Sequence, residues 1–488
     1  MLNMMKKQSD ITFTENGALT YSHSGSDCLD LFFRSGAMRF SDDSEIEKAV
    51  IRAYAEDSEK TMKIIFFARD ARGGLGERRF FRTAIKTLTK IAPEAVKRNI
   101  KNFAEYGRYD DLLTLLHTSC EKEAIDEIKY ILDEDIECMK KQEPVSLLAK
   151  WLPSVNASSY QTVKNARKLC ECFGMNEKEY RKTLVSLRKY IDILENRLRE
   201  RDYTFEYSQQ PSKAMFKYRK AFLRNDEQRY TKFITKVYEG SEHLNTSSLY
   251  PYDIVRTVLK NRYMSQNERA VLDATWNSLV SCGDTTENAI AVVDGSGSMM
   301  GGDPSMRPID VALSLGIYFA EHNKGTFGGH FITFSSKPKI VKIKGDDIAQ
   351  KVAYCSTFCE VANTNLEATF NLILSTAVKN KVSQSEMPKR LYIISDMEFD
   401  YCVEGGNSLT LFEAMKKKYE SYGYRLPEIV FWNVNSRQSN IPVTMTQTGA
   451  ALVSGATPAI FDMVRSGDIS PQKVMNDIIY SERYEAVS

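Results

Sequence analysis

The chain has 488 residues, 42% hydrophobic and 27% charged, which is enough for two domains and too apolar for wholesale disorder. Lys and Arg number 66 against 64 Asp and Glu, a formal charge of +2, so no global basic excess marks a nucleic-acid binder. Nine cysteines without paired CxxC spacing argue against a disulfide framework or a zinc ribbon and predict reduced, buried thiols.

Residues 1–27 begin MLNMMKKQSDITFTENG, two lysines with no apolar stretch behind them, and read as an N-terminal tail without a secretory signal. Runs such as Ile290–Val293 and Leu391–Ser395 are too short to span a bilayer, so a cytoplasmic chain with no membrane partner is expected.

Residues 28–281 carry apolar side chains at three- and four-residue spacing, as in Glu94–Glu105, Glu121–Lys140 and Glu179–Arg199. Breaks fall at Gly73-Gly74, Gly107, Pro144, Pro153, Gly174 and Pro211. No fixed period emerges, so this half is predicted to be all-helical, with irregular HEAT-like helical hairpins stacked as in a solenoid.

RDARGGLGER lacks the GK[ST] of a phosphate-binding loop and follows a helix, so its glycines are read as a tight turn. Around it, Arg69, Arg72, Arg78, Arg79 and Arg82 form a cationic cluster. A second one lies in Pro211–Phe233, where Lys213, Lys217, Arg219, Lys220 and Arg224 interleave with Phe216, Tyr218, Phe222 and Tyr230. Cations beside aromatics suit RNA, while the plainer reading is an amphipathic helix with its rings in the core.

After a polar linker at Cys282–Thr285, short strands apolar on both faces alternate with helices over residues 286–488, which predicts a doubly wound parallel sheet. This half holds 19 Lys/Arg and 22 Asp/Glu; the totals of 66 and 64 leave 47 and 42 for the first 285 residues, so any RNA is expected on the helical side.

Asp294 ends the strand AIAVVD and is followed by Ser296 and Ser298 in a glycine-rich turn; Thr364 begins a helix, and Asp396 ends the strand RLYIIS. In an open α/β sheet, ligands bind at the carboxyl ends of strands where their order reverses, and the first and fourth strands are neighbours there. Five oxygen-bearing side chains without His or Cys select Mg²⁺, Mn²⁺ or Ca²⁺. Ser296 occupies the place of a haloacid-dehalogenase phosphatase's second Asp, and no nucleophile elbow surrounds it. Glu398 and Asp400 are read as solvated loop residues, though either could act as a general base for a metal-dependent hydrolase.

These residues resemble the metal-ion-dependent adhesion site of von Willebrand factor A domains. The resemblance implies Ser296, Ser298 and Thr364 as direct ligands, Asp294 and Asp396 acting mostly through water, and an anionic sixth ligand. Further motifs, among them EYGRYDDLL, LLAKWLPS, PSKAMFKYRKAFLR, SLYPYDIV and ISDMEFD, resemble a family known as a large domain of unknown function. The order of a helical solenoid before such a domain is similar in architecture to the Ro autoantigen (TROVE) proteins, which bind RNA. The expectation is a non-enzymatic RNA-binding or ribonucleoprotein scaffold with a Mg²⁺ site. The alternative is an adaptor whose metal captures an acidic side chain of a protein partner.

Overall fold

The computed structural model describes residues 9–261, 263–279, 285–334, 337–359, 365–400, 410–465 and 469–488. The first half is helical, as its periodicity predicts. Helix Ser58–Arg69 is buried from Thr61 onward, and Phe66 meets Phe81, Phe103 and Tyr106 edge-on at 5.4–5.9 Å between centroids. Helix Arg78–Ile91 is amphipathic: Phe80, Phe81, Ala84, Ile85 and Leu88 face the core, while its arginines and lysines line the opposite side. The stretch read as one helix over Glu179–Arg199 is two, Glu177–Tyr190 and Leu194–Glu200, separated where Asp192 takes φ 52°. Residues of Leu194–Ala274 also build a second, smaller core around Phe205, Tyr207, Phe222, Tyr230 and Phe233.

Two antiparallel strands precede the helices: β1 (Ile11–Phe13) and β2 (Leu19–Tyr21). The second half is a six-stranded mixed sheet of β3 (Ala289–Asp294), β4 (His330–Phe334), β5 (Ile340–Lys342), β6 (Arg390–Ser395), β7 (Glu428–Asn433) and β8 (Ala450–Ser454). Its order is β5-β4-β3-β6-β7-β8, parallel except at the β5 edge. Every residue of β3 and β6 is buried, because helices cover both faces. The chain order reverses between β3 and β6, which pair with Val293 opposite Ile394. That places Asp294 and Asp396 at adjacent strand ends.

The two halves share one continuous hydrophobic core, with helix Pro251–Lys260 packed on helix Pro308–His322. Each end of the described chain also reaches into the opposite half. Thr20 Oγ1 donates to the Ile441 carbonyl at 2.9 Å, and Tyr21 bridges Ile441. In the other direction, Tyr484 stacks on Tyr106 at 5.6 Å, Arg483 pairs with Asp70, and Lys63 Nζ donates to the Tyr484 carbonyl at 2.7 Å. Residues 9–24, read from sequence as part of a tail, thus lie against the sheet half.

The glycine turn is a packing device. The Leu75, Gly76 and Glu77 N–H groups donate to the Phe67, Asp70 and Ala68 carbonyls, so they are not available to an anion. A Cβ on Gly74 would sit 2.1 Å from the Phe67 carbonyl oxygen, which only glycine avoids.

Candidate metal centre

Asp294 is fully buried, and each carboxylate oxygen accepts one bond: Oδ1 from the Ser296 N–H at 2.9 Å, Oδ2 from the Ser395 hydroxyl at 2.6 Å. The first bond folds the chain back so that the Ser296 and Ser298 hydroxyls meet at 3.0 Å. Gly295 permits this turn, since a Cβ there would come 3.0 Å from Cys359 Cα. Thr364 lies outside the described residues.

Asp396 follows β6 and is 2% exposed. Its Oδ1 accepts weakly from the Glu398 N–H at 3.4 Å, while Oδ2 is buried with no hydrogen-bond donor. Among the described residues, Arg437 is the one cation paired with either carboxylate, with Nη1 3.7 Å from Asp396 Oδ2. Met397 takes φ 67°, a left-handed conformation that side chains other than glycine rarely adopt, and this kink turns both Asp396 and Glu398 inward.

Burial first, and then the neighbouring charge of Asp396, push the Asp294 carboxyl up to about 7. Burial likewise raises Asp396, against the pull of the Ser298 hydroxyl and Arg437. The Cys359 thiol is pushed up to about 12 by burial and by Asp294. Two buried carboxylates that disfavour each other's charge, an orphaned carboxylate oxygen and two hydroxyls form a set of hard donors short of positive charge. A divalent cation fits that set.

Glu398 corrects the sequence reading. It is 1% exposed, and its two oxygens accept from the Glu15 N–H and the Asn440 side chain, both at 2.8 Å. It is therefore a buried anchor for the β1–β2 turn, with each oxygen accepting a hydrogen bond. Asp400 is half-buried and bridges Gly17.

The cationic clusters also fare unequally. Arg69 is 3% exposed and bound to Asp111 at 2.7 Å, so it is a core ion pair facing no ligand. Arg82 is shared by Asp110 and Asp111, and Arg79 is held by Asp43 at 2.6 Å. Arg72 is exposed, against the Glu105 carbonyl at 2.5 Å, and Arg78 is exposed with no acid partner among the described residues. In the second region Phe222 and Tyr230 are core residues, as the amphipathic reading anticipates. Its cations are largely spoken for: Lys213 by Asp253 at 2.5 Å, Lys220 by Glu268 at 3.0 Å, and Arg219 by the Phe216 ring and carbonyl. Lys217 lies over the Tyr218 ring, and Arg224 is exposed.

A cleft of about 1040 Å³ runs along helix Arg78–Ile91, its basic side chains interrupted by Asp43 and Glu47, which pair with Arg79 and Lys90. Arg78, Arg82, Lys86 and Lys90 recur along it every four residues, about 6 Å apart along the axis. Lys86 was missed in the sequence reading, although its spacing from Arg78 and Arg82 was the available signal.

The chain belongs to the family described as Domain of unknown function (DUF2828), whose model matches residues 14–135 and 158–283. A second family model, Domain of unknown function (DUF7788), matches residues 288–479. The chain is also similar to "Uncharacterized protein L728" of Acanthamoeba polyphaga mimivirus, 28% identical over 501 residues that cover 94% of this chain and 85% of that protein.

Proposed function

We propose that this family member is a non-enzymatic binding scaffold whose sheet half holds Mg²⁺, or Mn²⁺ or Ca²⁺ in its place, and presents it to an anionic ligand. The observation that carries the reading is the buried pair Asp294 and Asp396 with the Ser296 and Ser298 hydroxyls around them. The strand order, with β3 beside β6 at the reversal, and the D-x-S-x-S turn are what a von Willebrand factor A-like domain with a metal-ion-dependent adhesion site would have. In that reading Ser296, Ser298 and Thr364 hold the cation, and Asp294 and Asp396 balance its charge from just behind. The bound cation would supply an electrophilic centre for a carboxylate or a phosphate. Glu398 is buried and already accepts from Glu15 and Asn440, which favours binding over hydrolysis.

The helical half is assigned to RNA. The cleft along Arg78–Ile91 supports this, with Arg78 and Lys86 unpaired among the described residues and Tyr160, next to the cleft residue Gln161, 82% exposed. Calorimetric titration of Mg²⁺ into the wild type and into Asp294→Ala tests the first assignment, with heat expected only from the wild type. Equal heats would remove the site. Anisotropy with a labelled single-stranded oligoribonucleotide across a salt series tests the second. Arg78→Gln/Lys86→Gln is expected to weaken binding and flatten the log–log salt slope by about 1.4, for two phosphates lost. If the wild type binds no RNA, an adaptor for an acidic protein side chain takes its place.

A further inference from the structure

We propose that Arg437, held by Glu15, is also the counter-ion of Asp396 and that a divalent cation enters by driving it off Asp396 while Glu15 retains it, so that the β1–β2 turn tunes how tightly the metal is held. The inference rests on the metal reading above. Arg437 stands between two acids. Its Nη1 is 3.7 Å from Asp396 Oδ2, too long for a hydrogen bond, and its Nη2 is 2.8 Å from Glu15 Oε2. No other acid lies within ion-pair distance of it among the described residues, and its side chain is 37% exposed, so the guanidinium has room to move.

The Glu15 side chain is equally open, at 38% exposed, but its backbone is tied down. Its N–H is bound to Glu398 Oε2 at 2.8 Å, and Gln438 Nε2 reaches its carboxylate at 3.3 Å. The flanking Thr14 and Asn16 side chains donate to the Phe399 and Glu398 carbonyls at 2.6 and 2.8 Å. The turn is stitched to the segment that carries Asp396, and it keeps the Glu15 carboxylate beside Arg437. A dication arriving at Asp396 repels the guanidinium, and Glu15, already paired with it, keeps it.

Two single substitutions then act in opposite directions, which loss of a merely structural salt bridge would not produce. Arg437→Met removes the competing cation and is expected to raise Mn²⁺ affinity about tenfold. Glu15→Gln removes the retaining acid, leaves Arg437 to lean on Asp396, and is expected to lower affinity about three- to tenfold. Arg437→Lys keeps the charge and should stay near wild type, and Glu15→Gln/Arg437→Met should follow Arg437→Met. The assay is calorimetric titration of Mn²⁺ alone into the full chain, with thermal melts confirming that every variant is folded. If the wild type binds Mn²⁺ and both single variants shift the same way or not at all, Arg437 is not a competitor and the inference falls while the metal reading stands. If the folded wild type takes up no Mn²⁺, both fall.

Discussion

Replacing Asp294 with Asn isolates the electrostatic cost of the carboxylate pair. Asn keeps the volume, accepts from the Ser296 N–H and can donate to the Ser395 hydroxyl, but it cannot ionise. The Asp294 carboxyl is raised from 3.8 to about 7 in the folded chain. The folded state therefore holds this proton more tightly than the unfolded state. The contribution to stability is complete below about pH 4 and is lost as pH climbs through about 7. At 1.36 kcal/mol per unit, the swing is on the order of 4 kcal/mol. Without metal, Asp294→Asn should exceed the wild type in stability by about 1–2 kcal/mol at pH 5 and by about 4 kcal/mol at pH 8. Mg²⁺ at about a hundredfold over its Kd should restore about 2.7 kcal/mol to the wild type and nothing to the variant. Urea unfolding followed by the fluorescence of buried Trp276 and Trp432, with EDTA or Mg²⁺, measures all three differences. A gap between the proteins that is equal at pH 5 and pH 8, or Mg²⁺ stabilising both alike, would refute the reasoning.

Other consequences can be checked alongside. Asp70 is held below the usual carboxylate range because bonds from Arg483 and from the Arg72 and Gly73 N–H groups outweigh its burial, so Asp70→Asn should cost about 3 kcal/mol at neutral pH in chemical denaturation. The wild-type contribution of that carboxylate should fade as pH falls below about 4. Glu398→Ala strands the Glu15 N–H and the Asn440 amide, and should increase hydrogen exchange over residues 14–17 and lower stability by about 2 kcal/mol. Phosphate esters incubated with wild type and Mg²⁺ should show no turnover above background; hydrolysis that disappears in Glu398→Gln would reverse the non-enzymatic assignment.

The parts of this molecule set by local pattern could be read in advance. Strands β3 and β6 are apolar at nearly every position, and the D-x-S-x-S turn needs only its own residues to gather two hydroxyls. What could not be read depends on partners far along the chain. Glu398 sits in a polar-looking SDMEFD segment, and nothing nearby says that Glu15 and Asn440 bury it. Arg69 looks like one more surface arginine until Asp111 neutralises it. Strands β1 and β2 have three residues each, too few for alternation to register, and much of their anchorage comes from residues about 400 positions away. In Pro211–Phe233 the helical periodicity anticipated that Phe222 and Tyr230 lie in the core, which composition alone did not.

The exchange of chain ends between the two halves also sets an order of events during synthesis. Residues 9–24 leave the ribosome early, yet Phe399, Glu398 and Ile441, to which they bind, leave late. At about 5–20 residues per second, the opening strands wait on the order of a minute with their edges unpaired. Their brevity and their content of Thr, Glu and Asn keep that wait from becoming an aggregation hazard. The Asp396 end of the sheet is thus completed by the earliest-made segment described, and Glu15 reaches Arg437 only after nearly the whole chain exists.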